Sequence, residues 1–175
     1  MLRCLPLLCC LLCGVLPASA AAQRQAGEAE LKAAIIVGLL SFVDWPPQGA
    51  PGGDRLILCH LDDAPVVAAL ALLEGRPVRN RPLRVQRVDG SELSRCHALY
   101  IDADHDPRPL ALAVQQGGSS VLLIGDAPGH LARGAAINLE ADGSRVAFDV
   151  DLRAARLLGL AISSKALRLA RTVRE

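Results

Sequence analysis

The sequence predicts one α/β domain: a mixed sheet of five or six strands with helices on both faces, and a C-terminal β-hairpin followed by helices. Three observations predict it. Short runs that are apolar at every position, such as VLLI at 121–124, require strands buried on both sides. Segments with apolar residues three and four apart alternate with them, as crossover helices do. The length, 175 residues of which 51% are hydrophobic, suffices for one core and is short for two.

Residues 1–20, MLRCLPLLCCLLCGVLPASA, stand outside that domain. One positive charge (Arg3), an apolar run over 5–16, a breaker (Pro17) and the small-residue ending Ala18-Ser19-Ala20 have the layout of a cleaved secretory signal peptide. The run is too short to span ~30 Å of hydrocarbon. A cut after Ala22 is the alternative. No cysteine in the run follows a small residue, as a lipidation site requires. Cleavage removes one of 19 basic residues and leaves 18 against 18 acidic, a neutral exported chain with no case for nucleic acid. No further stretch is long and apolar enough for a membrane span, so the mature chain is expected to be soluble.

The elements follow in order. Residues 21–27 read as a flexible leader, and the domain spans 28–174. Leu31, Ala34, Ile35, Gly38, Leu39 and Phe42 predict a helix over 28–42 with these residues on its inner face. Pro46 stops it, because the residue before proline is pushed out of the helical region. QGAPGGD at 48–54 is a loop, and RLILCHL at 55–61 a strand. A helix over 65–73 takes Asp62 or Asp63 as its N-cap. Strands at 83–88 and 98–101 precede a helix over 109–116, ended by Gly117 and Gly118. After the strand 121–124, a hairpin pairs 136–140 with 145–149 across ADGS. Asp151 caps a helix over 152–158 that Gly159 ends. Ser163 caps a last helix from 164 to about 173, striped by Ala166, Leu169, Ala170 and Val173. The basic residues near its end suit the helix dipole.

Few residues point to chemistry. There is no phosphate-cradling loop and no Gly-x-Ser-x-Gly turn, and the histidines at 60, 97, 105 and 130 are scattered. The reading is no catalytic residue, no metal and no cofactor. DADHD at 102–106 has metal-ligating residue types, but no further ligand at a telling spacing, so a polar loop capping a strand is the better account. Arg76, Arg79, Arg81, Arg84 and Arg87 can attract an anion, yet a solvated turn leading into a strand explains them in a chain of balanced charge.

Two cysteines, Cys59 and Cys96, survive cleavage. In an oxidising compartment such a pair reads as one disulfide, against the alternative of two buried thiols. Closing its loop stabilises by about 3–4 kcal/mol. With strands 55–61 and 98–101 starting level, the cysteines lie about 10 Å apart along the sheet. The bond therefore needs an offset register or a loop that folds back. SFVDWPP at 41–47 holds the only tryptophan. Phe42, Trp45 and Pro46 read as a structural anchor that covers one end of the core, rather than as a docking anchor.

LKAAIIVGLLSFVDWPP at 31–47 resembles the opening of the YfiR-like family of periplasmic proteins. The match continues in order through LILCHLDD, GRPVRNRPLRVQRV, CHALYI, VLLIGD and the long segment 135–173 with its GLAISS element, covering about 28–174. Ile35, Ile36 and Val37 stand where the family commonly has aromatic residues, and Asp151 where it usually has Asn. The resemblance implies a non-enzymatic, homodimeric, redox-sensitive regulator in the periplasm. It would bind the periplasmic sensor part of an inner-membrane diguanylate cyclase and repress it, lowering cyclic di-GMP and biofilm formation. It matches Cys59 and Cys96 to the family's cysteines and places the partner surface within 152–173. There the bend at Gly159 nominates Leu157, Leu158, Leu160 and Ile162 as partner-binding. On that reading Leu160→Asp leaves stability within ~1 kcal/mol, as surface sites do. A small-ligand-binding accessory protein of another signalling or transport system is the alternative, and predicts a pocket with convergent polar groups.

Overall fold

The computed structural model describes residues 18–48, 50–142 and 145–175. Nearly all of the presumed signal peptide, and Gly143 and Ser144 of the hairpin loop, lie outside them. Helix α1 (Ala18–Leu40) starts ten residues before the expected 28 and takes in 21–27, the segment expected as a leader. Apart from Gly27 that segment is Ala, Gln and Arg, all strong helix formers. The inner face of α1 also differs. Leu39 is buried as expected and Ile35 and Phe42 pack partly on the core, but Ala29, Lys32, Ala33, Ile36, Val37 and Leu40 are also buried, whereas Leu31, Ala34 and Gly38 are exposed. The helix is apolar on almost every side from residue 31 onward, so spacing alone does not select the face.

After α1 come β1 (Val43–Asp44), β2 (Leu56–His60), α2 (Pro65–Ala71), the hairpin of β3 (Pro77–Val78) and β4 (Arg81–Arg87), and β5 (Ala98–Ile101). Arg79 and Asn80 turn that hairpin with φ of 48° and 66°, the left-handed values a two-residue primed turn needs. Next are α3 (Pro107–Gln116), β6 (Leu122–Gly125), the hairpin of β7 (Ile137–Asp142) and β8 (Arg145–Asp151), α4 (Leu152–Leu157), β9 (Ala161–Ile162), α5 (Ser164–Leu167) and β10 (Thr172–Arg174).

Eight strands form one sheet in the order β10-β8-β7-β6-β5-β2-β4-β3, and β1 pairs with β9 in a second. The expected strands are the six central ones, and the four additions are two or three residues long. Strands β2, β4, β5, β6 and β7 run parallel, and β8 returns antiparallel. The units β2-α2-β4 and β5-α3-β6 move in opposite directions along the sheet, so right-handed crossovers put α2 and α3 on opposite faces. Every residue of β5 and β6 is buried, as their apolar runs require.

Two caps are as expected. Asp151 accepts from the Ala154 N–H at 2.9 Å, and Ser163 Oγ from the Lys165 N–H at 3.3 Å. Two expectations are corrected. Residue Ala64 occupies the N-cap of α2 without a side-chain bond, because Asp62 and Asp63 pair with Arg87. The last helix is a single turn, after which 172–174 adds a parallel strand to β8. Arg171 drives that change: its guanidinium forks onto Asp149 and Glu140, pinning the chain to the sheet.

Candidate functional site

The parallel strands give the sheet an amino end and a carboxyl end, and each carries candidate residues. At the amino end, the Trp45 indole N–H donates to the His97 carbonyl at 2.8 Å, and the two rings meet edge to face at 5.7 Å. The Phe42 carbonyl accepts from the Ser163 N–H at 2.8 Å. Pro46 lies against Gly159, where a Cβ would come within 3.3 Å of Pro46 Cγ and φ is +69°. The segment thus joins the end of α1 to the start of β5 and to the chain around β9. His97 is fully buried, and its Nδ1 accepts from the Ile57 N–H at 3.1 Å. Burial, reinforced by the Arg81 charge, pushes His97 down to about 4, so the ring is neutral.

Cys59 and Cys96 form a disulfide with Cα atoms 5.8 Å apart, and both are fully buried. The register is offset: Leu58, not the first residue of β2, lies opposite Ala98. A short turn at Leu93–Arg95 then delivers Cys96 to Cys59.

The nominated partner residues divide. Leu157 is 65% exposed, but Leu158 and Leu160 are buried at 7% and 3%, and Ile162 is half-buried as the β9 partner of Val43. Leu158 and Leu160 are therefore core residues. The turn at Gly159 folds them inward, with the Leu160 N–H donating to the Ala155 carbonyl at 3.0 Å. The apolar surface here is Leu157 with Leu169, which is 70% exposed. In the same segment of the chain Arg153, Arg156, Lys165 and Arg168 are exposed and have no ion-pair partner among the described residues.

At the carboxyl end a cavity of about 390 Å³ opens between α1, the start of α2 and the loops after β5 and β6. Lys32 forms its floor, paired with Glu28 at 2.6 Å and Asp126 at 2.5 Å. Burial works against the Lys32 charge, but the hydrogen bonds and charges of Asp126 and Glu28 outweigh it and raise its pKa. The Tyr100 hydroxyl donates to Asp126 Oδ2 at 2.6 Å. Burial first, then the neighbouring Asp126 carboxylate, raises the phenol and keeps it protonated. His130 is fully buried behind them, and its Nδ1 accepts from the Asp126 N–H at 3.3 Å. Burial and the nearby Arg133 lower its pKa. Gly125 permits that packing, since a Cβ there would sit 2.5 Å from His130 Cβ.

The DADHD residues serve each other. Asp102 Oδ1 accepts from the Asp104 N–H at 3.0 Å and lies 2.7 Å from His105 Nδ1, and Asp106 caps α3. Among the described residues no group of three or more His, Cys, Asp or Glu is placed to hold a metal ion. Of the arginine run, Arg79, Arg84 and Arg87 pair with Asp44, Glu74 and Asp62, and Arg81 donates to the Gly53 and Arg55 carbonyls. The network of Lys32, Tyr100 and Asp126 was not foreseen. Its signal in the sequence is a single lysine inside an apolar helix and the only tyrosine of the chain.

These features define a class: an α/β domain covered on both faces, with a cavity at one end of its sheet and an apolar–basic surface towards the other. Among the described residues no helix is long and apolar enough to cross a membrane. The chain belongs to the YfiR/HmsC-like family, whose pattern it matches over residues 29–171. Members of that family are periplasmic regulators rather than enzymes. A search of curated proteins returns no match. Among solved structures the chain is similar to a conserved domain protein from Vibrio cholerae O1 biovar El Tor strain N16961, with a TM-score of 0.55, 14% identity and coverage of 83% of this chain and 60% of that one. It is also similar to an ABC domain from Streptococcus pneumonia in complex with L-Trp, with a TM-score of 0.50, 12% identity and the same coverage, 83% and 60%. At these identities the likeness is one of fold, and the chain spans about 60% of the length of each of these structures.

Proposed function

We propose that the protein is a periplasmic regulator that binds the periplasmic sensor part of an inner-membrane diguanylate cyclase and represses it. It lowers cyclic di-GMP and, with it, biofilm formation. The observation that carries the reading is that the C-terminal segment 152–169 exposes two leucines, Leu157 and Leu169, together with Arg153, Arg156, Lys165 and Arg168, four cations without an ion-pair partner among the described residues. Exposed apolar side chains rimmed by charge suit protein docking. An acidic, apolar patch on the sensor is the complement. In this reading the regulator acts as a homodimer, as its family resemblance implies, and sedimentation of the purified protein tests that part.

The decisive experiment measures cellular cyclic di-GMP in the deletion strain complemented with the native protein or with the double variant Leu157→Asp and Leu169→Asp. Native protein lowers the level, and the exported, folded double variant does not. Equal levels with and without the gene sink the proposal. The alternative of a small-ligand-binding accessory protein is favoured by one observation, the cavity at the carboxyl ends of the strands.

A further inference from the structure

The two crossover units leave β2 and β5 in opposite directions, so the order of the sheet reverses between these neighbours. In open α/β sheets the crevice outside the carboxyl ends at such a reversal is where ligands bind. The cavity of about 390 Å³ sits there: Asp63 to Val66 follow β2, Asp102 to Asp104 follow β5, and Asp126 follows β6. Its volume lies in the range of small-molecule sites.

Its lining selects the ligand. Five carboxylates face it, those of Glu28, Asp63, Asp102, Asp104 and Asp126, against Lys32 as the one cation. Two of those carboxylates already pair with Lys32, so its ammonium is not free to receive an anion. Asp126 has a side chain only 8% exposed. Its Oδ1 is held by the Lys32 ammonium and its Oδ2 by the Tyr100 hydroxyl, so both oxygens are engaged within the protein and the carboxylates open to a ligand are those nearer the mouth. Asp104 makes no ion pair among the described residues, and Asp102 has one oxygen engaged by its neighbours. Among the described residues no three carboxylates or other ligands are gathered to hold a metal ion, which suits an elongated cation better. Ala29, Ala64, Pro65 and Val66 line the same space and offer contact to an apolar body.

We propose that this cavity binds an organic cation: a protonated alkylamine of the diamine or short polyamine class. Its ammonium groups bond to Asp102 and Asp104, and its methylenes lie against the α1 and α2 side of the cavity. The inference is independent of the repression reading, since the docking residues lie within 153–169, away from the cavity lining.

The test is titration calorimetry of the purified mature protein at low ionic strength with putrescine and spermidine as probes. Magnesium chloride at matched ionic strength and sodium glutamate serve as controls. The expected result is saturable one-to-one binding of an amine, weakened by about tenfold or more in Asp102→Asn plus Asp104→Asn, as loss of a charged hydrogen bond predicts. Asp104→Asn alone changes an exposed carboxylate and gives a weaker loss in the same direction, should the double variant fail to fold. No saturable amine binding overturns the proposal, and so does magnesium binding of equal strength, which would mean diffuse charge attraction. Preferential binding of glutamate also overturns it, since Lys32 would then be the recognition group. Each outcome is read without reference to cyclic di-GMP, so amine binding and repression fail separately.

Discussion

At the amino end of the sheet, neutral groups join distant parts of the chain; at the carboxyl end, charged groups do. Trp45 and His97 are 52 residues apart and meet through an indole-to-carbonyl bond and a ring contact, with Pro46 packed on Gly159. The ion pair at that end, Arg79 with Asp44, is exposed rather than buried, and that end closes. Lys32 and Asp126 meet at the other end as ions with low exposure, with the partly exposed Glu28 beside them. Buried ions retain a demand for solvent or partners that hydrogen-bonded neutral groups do not. A cavity remains beside them. The amino end is thus organised for stability, and the carboxyl end leaves binding capacity at some cost in stability.

The largest effect expected from this contrast is at Leu160, which lies 3% exposed in the closed end. Leu160→Asp removes a core side chain and inserts a charge with no partner, and is expected to cost more than about 4 kcal/mol. Urea denaturation followed by circular dichroism reads it. A loss under about 1 kcal/mol would show that this end is not closed and restore Leu160 as a surface residue. Cys59→Ser comes next. The disulfide closes a 37-residue separation between buried positions, and its removal is expected to cost about 2–4 kcal/mol. Reductant should destabilise the native protein by a similar amount and leave the variant unchanged.

A smaller effect follows from pH. His97 is held at about 4 in the folded chain, against an ordinary value near 6.5, and His130 is shifted down as well. The unfolded chain therefore binds protons through a window in which the folded chain does not. Stability rises with pH there: it is complete above about 6.5 and declines as pH falls toward 4. Thermal melting should drop between pH 7 and pH 5, and His97→Gln should flatten that decline. An unchanged decline would remove His97 from the account.

The legibility of the sequence divides along the same line. Strand β5 was readable to the residue, and β2 and β6 to within one, because runs such as ALYI and LLIG are buried throughout and bounded by polar loops. Asp151 and Ser163 were legible as caps because capping is local. The place of Trp45 at the end of an apolar helix was legible, though its partner His97 was not. The inner face of α1 was hidden because Lys32, the residue that would ordinarily mark the outer side, is buried by two acids, one of them 94 positions away. Strand β10 was hidden for a related reason. Arg171 makes the local pattern helical, but its carboxylate partners lie on β7 and β8. The fold was legible where its causes are local, and the cavity was not, because its charges come from four separate segments.

The smallest effect concerns the anchor itself. Trp45→Phe keeps most of the apolar bulk and the contact with the His97 ring, and removes only the indole N–H. The His97 carbonyl still accepts from the Leu122 N–H at 2.9 Å, so no acceptor is left bare. The expected cost is therefore the net value of one hydrogen bond, about 1 kcal/mol. Trp45→Ala loses the packing as well and should cost about 3 kcal/mol or more. The gap between these two variants, measured by denaturation at pH 7, separates packing from hydrogen bonding at the closed end. Equal losses would mean that the bond to His97, rather than the bulk of the indole, holds that end together. The carboxyl-end cavity supplies the control. Amine binding should survive Trp45→Phe unchanged, because the two ends share the strands β2, β5 and β6 but none of the side chains that define either site.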